Sequence, residues 1–257
     1  MSSSSRNTST TTRREALRRQ QEAHARAERR TGGAIKAAWA TGVVVIAVMI
    51  GVMIWAVARP GSAGVAAGTL VAPAGATENG AIMIGKADAP VTVSIYADFM
   101  CPYCGQFERA NGDDLAAAVD AGTAKLEIHP MAFLDAQSAG TEYSTRAANA
   151  FVTIANTDPA LAWKFDRLLY ANQPAEGSSG LSDAELLAYA QQAGVPASVT
   201  DTFGRQRYVP WVQQITNRAF DSGITGTPTV KINGEVFSGD MYSAGPLDEA
   251  IRQAAGA

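Results

Sequence analysis

The chain has only two cysteines, Cys101 and Cys104, separated by Pro102 and Tyr103. One thiol of such a pair can attack a disulfide while the other is near enough to close a disulfide over it. Three other readings use these residues less well. A structural zinc site needs four ligands. The chain adds only His24 and His129 to the two sulfurs, so no metal is expected. A purely structural disulfide would constrain the unfolded chain little across so short a loop. Two inert buried thiols would leave the spacing without a role. Redox exchange is the reading that needs both sulfurs.

The flanking residues say how such a pair would be held. Val91 to Asp98 is apolar and β-branched and predicts a strand over Val91–Tyr96. Gly105 to Ala121 predicts a helix. Cys101 would then sit at a helix N-terminus, where free N–H groups and the helix dipole favour a thiolate. Pro102 suits the first helical turn, because its missing N–H would have no partner there anyway. Asp98, three residues ahead of Cys101, is the nearest carboxylate. It either serves the proton traffic of the pair or faces solvent.

Further along, Ala124–Met131 predicts a second strand, and residues from about 138 to 222 carry a helical pattern. Within it Thr141–Ala155, Pro159–Tyr170, Ser182–Ala193 and Arg205–Asp221 are the candidate helices. Ser182 and Glu185 form a capping-box signature for the third. Trp163, Phe165, Tyr170 and Trp211 fall at core spacings, and His129 reads as a structural or surface residue. Strands over residues 228–232 and 235–238 surround Asn233-Gly234, a strong tight-hairpin signal. A last helix is expected over Pro246–Ala255.

Charge divides the chain. Residues 1–36 hold nine Lys/Arg against three Glu, a net +6, and the remainder holds 12 basic against 21 acidic residues, a net −9. Between basic tail and acidic body lie 22 uncharged residues, 37–58, with Trp39 and Trp55 near the two ends. At about 1.5 Å per helical residue this run spans a bilayer core of about 30 Å. The basic flank precedes it, which places the N-terminus in the cytoplasm and the body outside. A retained anchor fits better than a cleaved signal peptide, whose apolar region is shorter. The expected organisation is a cytoplasmic tail over 1–36, the anchor over 37–58, an Ala/Gly/Pro-rich linker over 59–80, and a folded domain over 81–257 with a helical insertion at about 138–222. The acidic body argues against nucleic acid as a partner. There is no Gly-rich phosphate loop and no nucleophile elbow.

Two motifs carry a resemblance. Tyr96-Ala-Asp-Phe-Met-Cys-Pro-Tyr-Cys-Gly-Gln-Phe-Glu108 and Ile224-Thr-Gly-Thr-Pro-Thr-Val-Lys-Ile-Asn-Gly234, with helices between them, resemble the DsbA-like thiol:disulfide oxidoreductases, in particular the membrane-anchored actinobacterial type. The resemblance covers roughly residues 80–257. It implies an α/β thioredoxin-like fold with an inserted helical subdomain, here preceded by one transmembrane helix. It also implies that Cys101 attacks, that Cys104 resolves the mixed disulfide, and that Thr227 and a cis Pro228 dock the substrate chain. No cofactor is implied. The implied partners are unfolded exported proteins with reduced cysteines and a membrane reoxidase, DsbB-like or vitamin K epoxide reductase-like. In one respect the chain departs from the pattern. Many members carry a buried acid six residues before the first Cys, where this chain has Ile95. The expected activity is disulfide introduction outside the cytoplasm. The alternatives are a reductase or isomerase kept reduced there, and a non-catalytic peptide-binding adaptor.

Overall fold

The computed structural model describes residues 70–256. The expected tail, the expected anchor over 37–58 and the first half of the linker lie outside these residues. Among the described residues no helix is long and apolar enough to cross a membrane.

The architecture is a mixed five-stranded sheet with helices on it. The strands are β1 (Ile82–Ile84), β2 (Val91–Ala97), β3 (Ala124–Pro130), β4 (Thr229–Ile232) and β5 (Glu235–Val236), in the order β1-β3-β2-β4-β5. β2 and β3 run parallel, and the other pairings are antiparallel. The parallel pair requires a crossover, which is helix α1 (Pro102–Ala121). It ends at Gly122, whose φ of 72° supplies the left-handed cap.

Register explains the burial. Val93 lies opposite Leu126 and Ile95 opposite Ile128, and all four are buried. With the two-residue period of a strand, this puts one apolar face toward the core. β4 adds Val230 opposite Ile95. The Asn233-Gly234 turn that joins β4 to β5 has φ of 49° and 91°, the positive pair that a tight two-residue hairpin needs.

Between β3 and β4 lie α2 (Tyr143–Ala155), α3 (Pro159–Ala171), α4 (Asp183–Gln192), the short α5 (Ala197–Thr200) and α6 (Val209–Asp221), and α7 (Pro246–Ala254) closes the described chain. α2 is buried on nearly every side, as befits the central helix of a layer. The Ser182–Glu185 capping box is formed at the start of α4. Sheet and helices share one apolar core in which Phe99 packs against Phe151 of α2 and Tyr170 of α3. Phe165 and Trp211 are buried in that core, and Trp163 packs partly buried against it.

Several elements differ from the sequence reading: the short α5 is not among the candidate helices, and β5 ends at Val236 rather than at 238. β1, three residues long, gave no detectable period and still pairs with β3. The helix expected from Arg205 begins at Val209, because Gln206 takes a φ of 49° that ends the preceding short turn.

Candidate active site

The two cysteines sit where β2 hands over to α1. Cys101 is the N-cap of α1 with extended backbone, and Pro102 opens the helix. Cys104 follows on the first turn, its N–H donating to the Cys101 carbonyl at 3.0 Å. The pair stands as free thiols. Cys101 keeps 5% of its surface exposed and Cys104 1%, so even the outer sulfur is recessed.

Opposite the pair lies the loop before β4, with the Thr227–Pro228 peptide bond cis. The Cys101 thiol donates to the Thr227 carbonyl at 3.3 Å. The structure therefore brings together Cys101, Cys104 and Thr227 from motifs more than 120 residues apart. The Tyr103 ring projects outward with 57% of its surface exposed, beside Tyr242 at 46%. Their centroids are 5.9 Å apart.

The two sulfurs have opposite acidities. The Cys101 pKa is lowered to about 6, chiefly by hydrogen bonding from the Cys104 thiol, with the Thr227 side chain and the N–H groups of Cys104 and Tyr103 assisting; burial opposes the shift. Donors to a thiolate favour it over the thiol, and helix N-termini supply such donors. The Thr227 carbonyl pulls the other way, since it can accept only from the protonated form. Several donors against one acceptor leave Cys101 ionised at neutral pH. Cys104 is pushed well above its ordinary value, first by burial and then by its neighbour's sulfur. One nucleophilic thiolate thus faces one thiol that keeps its proton.

Asp98 does not face solvent. Its side chain is fully buried. One carboxylate oxygen accepts from the Met100 N–H at 2.8 Å and the Ser144 hydroxyl at 2.7 Å. The other accepts from the N–H groups of Phe133 and Leu134 at 2.7 and 2.9 Å. One carboxylate therefore ties the β2–α1 turn, the loop after β3 and the first turn of α2 together. Burial raises its pKa to about 6 against the pull of those four donors. Ile95, where many DsbA-like proteins carry an acid, is an ordinary core residue facing Ile128 and Val230.

The family model described as Thioredoxin matches residues 77–251. The chain belongs to the thioredoxin family. Among solved structures it is similar to the reduced disulfide bond oxidoreductase DsbG of Mycobacterium tuberculosis, with a TM-score of 0.62 and 28% identity over 71% of this chain and 90% of that one. Oxidised DsbA of the same organism gives 0.61 and 28% over 69% and 93%. Among curated sequences, the serine/threonine-protein kinase PknE of M. tuberculosis is 37% identical over 120 residues. That match is 45% of this chain and 21% of the kinase, so the chain spans about a fifth of that relative's length. The DsbA-like resemblance read from the two motifs holds in both family and fold.

Other residues of this thioredoxin-family site had no signal in the sequence. Gln173, just past α3, donates its side-chain N–H groups to the carbonyls of Phe99 and Cys101 at 3.1 and 2.8 Å. Asn111 of α1 donates to the Met241 carbonyl at 2.8 Å and so anchors the loop that carries Tyr242. Asn111 lies within a helix and Gln173 just beyond one, and only tertiary contact gives them a role. His129 is buried and stacks on Tyr96 with centroids 4.0 Å apart. Burial and the nearby Lys231 lower its pKa to about 4, so it is a neutral packing residue. Among the described residues no cluster of His, Cys, Asp and Glu could hold a metal ion.

Proposed function

We propose that the chain is a protein thiol:disulfide oxidoreductase held outside the cytoplasm by the 37–58 segment, working mainly as an oxidase. The observation that carries this reading is the inequality of the two sulfurs. A Cys101 pKa near 6 stabilises the reduced protein, and a stabilised reduced form makes the corresponding disulfide a stronger oxidant.

In the forward cycle a substrate thiolate attacks Cys101 of the Cys101–Cys104 disulfide. The S–S bond breaks and Cys104 leaves with the electron pair. A second substrate thiolate then attacks the substrate sulfur of the mixed disulfide and expels Cys101 as a thiolate. The substrate has lost two electrons and the pair has gained them. Thr227 and Pro228 support docking of an extended substrate segment, because the Thr227 carbonyl of their cis peptide lies 3.3 Å from the Cys101 sulfur. Reoxidation falls to a membrane partner of the DsbB-like or vitamin K epoxide reductase-like kind. Supporting the outside location are the uncharged 37–58 run and the charge division around it, together with the persistence of disulfides beyond the cytoplasm.

Redox titration of the purified full-length chain against glutathione tests the direction. An oxidase should titrate toward the ~−120 mV of DsbA and well above the ~−270 mV of thioredoxin. A value at the thioredoxin end would overturn the oxidase reading in favour of a reductase. Unaltered cellular function after Cys101→Ala would point to a non-catalytic adaptor.

A further inference from the structure

Every turnover asks Cys104 to take up or give up a proton, yet 1% exposure leaves its sulfur no contact with bulk water. Asp98 is poorly placed to mediate. All four hydrogen bonds to its carboxylate come from groups that hold loops in place, and protonating it would break one of those ties.

A different set of groups lies behind the pair, between α1 and α3. Glu108 is one helical turn beyond Cys104 on α1, and Asp166 and Tyr170 are one turn apart on α3. Residues four apart share a helix face. The Tyr170 hydroxyl is buried and has no hydrogen-bond partner among the described residues, an expensive condition for a polar group. Asp166 is buried as well, with no ion pair or hydrogen bond among the described residues. Glu108 accepts from Arg167 at 3.1 Å, and Arg167 reaches on to Asp113 at the surface. A crevice of about 650 Å³ between the two helices is lined by Glu108, Asp113, Lys164, Arg167 and Tyr170. It therefore runs from solvent to the tyrosine.

We propose that Tyr170, Asp166 and Glu108 form a proton path joining the Cys104 sulfur to the crevice between α1 and α3. This rests on the dithiol being redox-active. No residue of the Thr227 loop lines the crevice, so Cys104 exchanges its proton while a substrate still covers Cys101. Burial pushes the Asp166 carboxyl well up, and the Glu108 charge adds to it. Burial thus favours the protonated form at Asp166. Burial also raises the Tyr170 phenol, with Cys104 the next contributor, which keeps the hydroxyl available as a donor. In the resolving step Cys104 S–H gives its proton to the path, the Cys104–Cys101 S–S bond forms, and the bound thiol leaves Cys101 as a thiolate. The charged and titratable groups around the path are Cys101, Arg109 and Asp113 on α1, Lys164 and Arg167 on α3, Asp98 before α1 and Tyr143 on α2.

The test uses the reduced full-length chain and oxidised glutathione, whose attack by Cys101 leaves glutathione on that sulfur. Acid quenching and mass spectrometry then follow its release by Cys104. Tyr170→Phe keeps the ring and Asp166→Asn keeps the shape. Each should slow release about tenfold at pH 7, with the deficit closing by about pH 9 as hydroxide takes over, a fraction of what general acid–base groups supply. The Cys101 thiolate titration, followed at 240 nm, should stay unchanged. Release that matches wild type at every pH overturns the path, and so does an equal deficit at every pH, which marks a packing defect. If Asp166→Asn fails to fold, Tyr170→Phe decides alone. A wild-type chain that never forms the Cys101–Cys104 disulfide sinks the redox reading instead.

Discussion

On its Thr227 side the dithiol meets a carbonyl, an exposed tyrosine pair and solvent. On its inner side it shares the core with Phe99 and Tyr170, which pack on each other, and the buried Asp98 carboxylate holds the turn that leads into it. The outer side carries exposed rings, whereas the inner side is packed in the interior. Three residues of sequence separate sulfurs in these two environments, and that difference lets one thiol ionise at neutral pH while the other stays protonated. The reactivity of the pair thus comes less from the tetrapeptide than from what is packed on either side of it.

Removing a sulfur tests the contrast most severely. Cys101→Ala should reduce thiol–disulfide exchange to background in a reduced-substrate refolding assay. Cys104→Ala should leave Cys101 able to attack and cause covalent Cys101 adducts to accumulate on non-reducing gels. Equal loss without adducts in both variants would erase the division of labour.

Next in size is the inner tie. Asp98→Ala strands three backbone N–H groups and a hydroxyl in a dry interior, at roughly 1–3 kcal/mol each before relaxation. Unfolding in guanidinium should show a loss of several kcal/mol. A loss below about 1 kcal/mol would mean that water reaches those donors.

The Cys101 acidity also predicts a pH dependence. Its pKa is lower folded than unfolded, so folding releases a proton there. The stabilisation is complete above the unfolded value near 8.5 and is lost as pH falls through about 6. The Tm of the reduced protein relative to Cys101→Ser should therefore rise between about pH 6 and pH 8.5. Asp98 works in the opposite sense and in a lower window. Its pKa, about 6 against an ordinary 3.8, favours the fold at acid pH and loses that effect as pH rises toward 6. A flat difference between pH 6 and 8.5 would contradict the thiolate assignment.

Smaller effects finish the series. Gln173→Ala removes two hydrogen bonds, each worth about 1 kcal/mol net, and denaturation should register that loss. Tyr103→Ala and Tyr242→Ala lie on the exposed rim. They should change stability by less than about 0.5 kcal/mol while raising the KM for peptide substrates several-fold. A stability loss as large as that of Gln173→Ala would place the rim with the inner side after all.

What the sequence made legible was local. Cys-Pro-Tyr-Cys at a strand–helix junction, the Ser182–Glu185 box and the Asn233-Gly234 turn each depend on neighbours within a few residues, and each appears in the fold where its spacing predicts. The thioredoxin order was readable because hydrophobic period switches cleanly from strand to helix along most of the chain. What stayed hidden depends on distant partners. Asp98 finds Phe133, Leu134 and Ser144 only once β3 and α2 are in place. β1 exists because β3 offers it an edge. Tyr170 looked like core and is core, but no pattern along the chain exposes the isolation of its hydroxyl.

Gly105 is buried directly after the pair. A Cβ there would collide with the Gln173 amide oxygen. The amide could swing aside, but it would surrender its hold on the carbonyls of Phe99 and Cys101. Positions 105 and 173 are therefore bound to drift together. An enlargement at the first becomes tolerable only with a shorter residue at the second, and a combinatorial library randomised at both should recover them as a correlated couple.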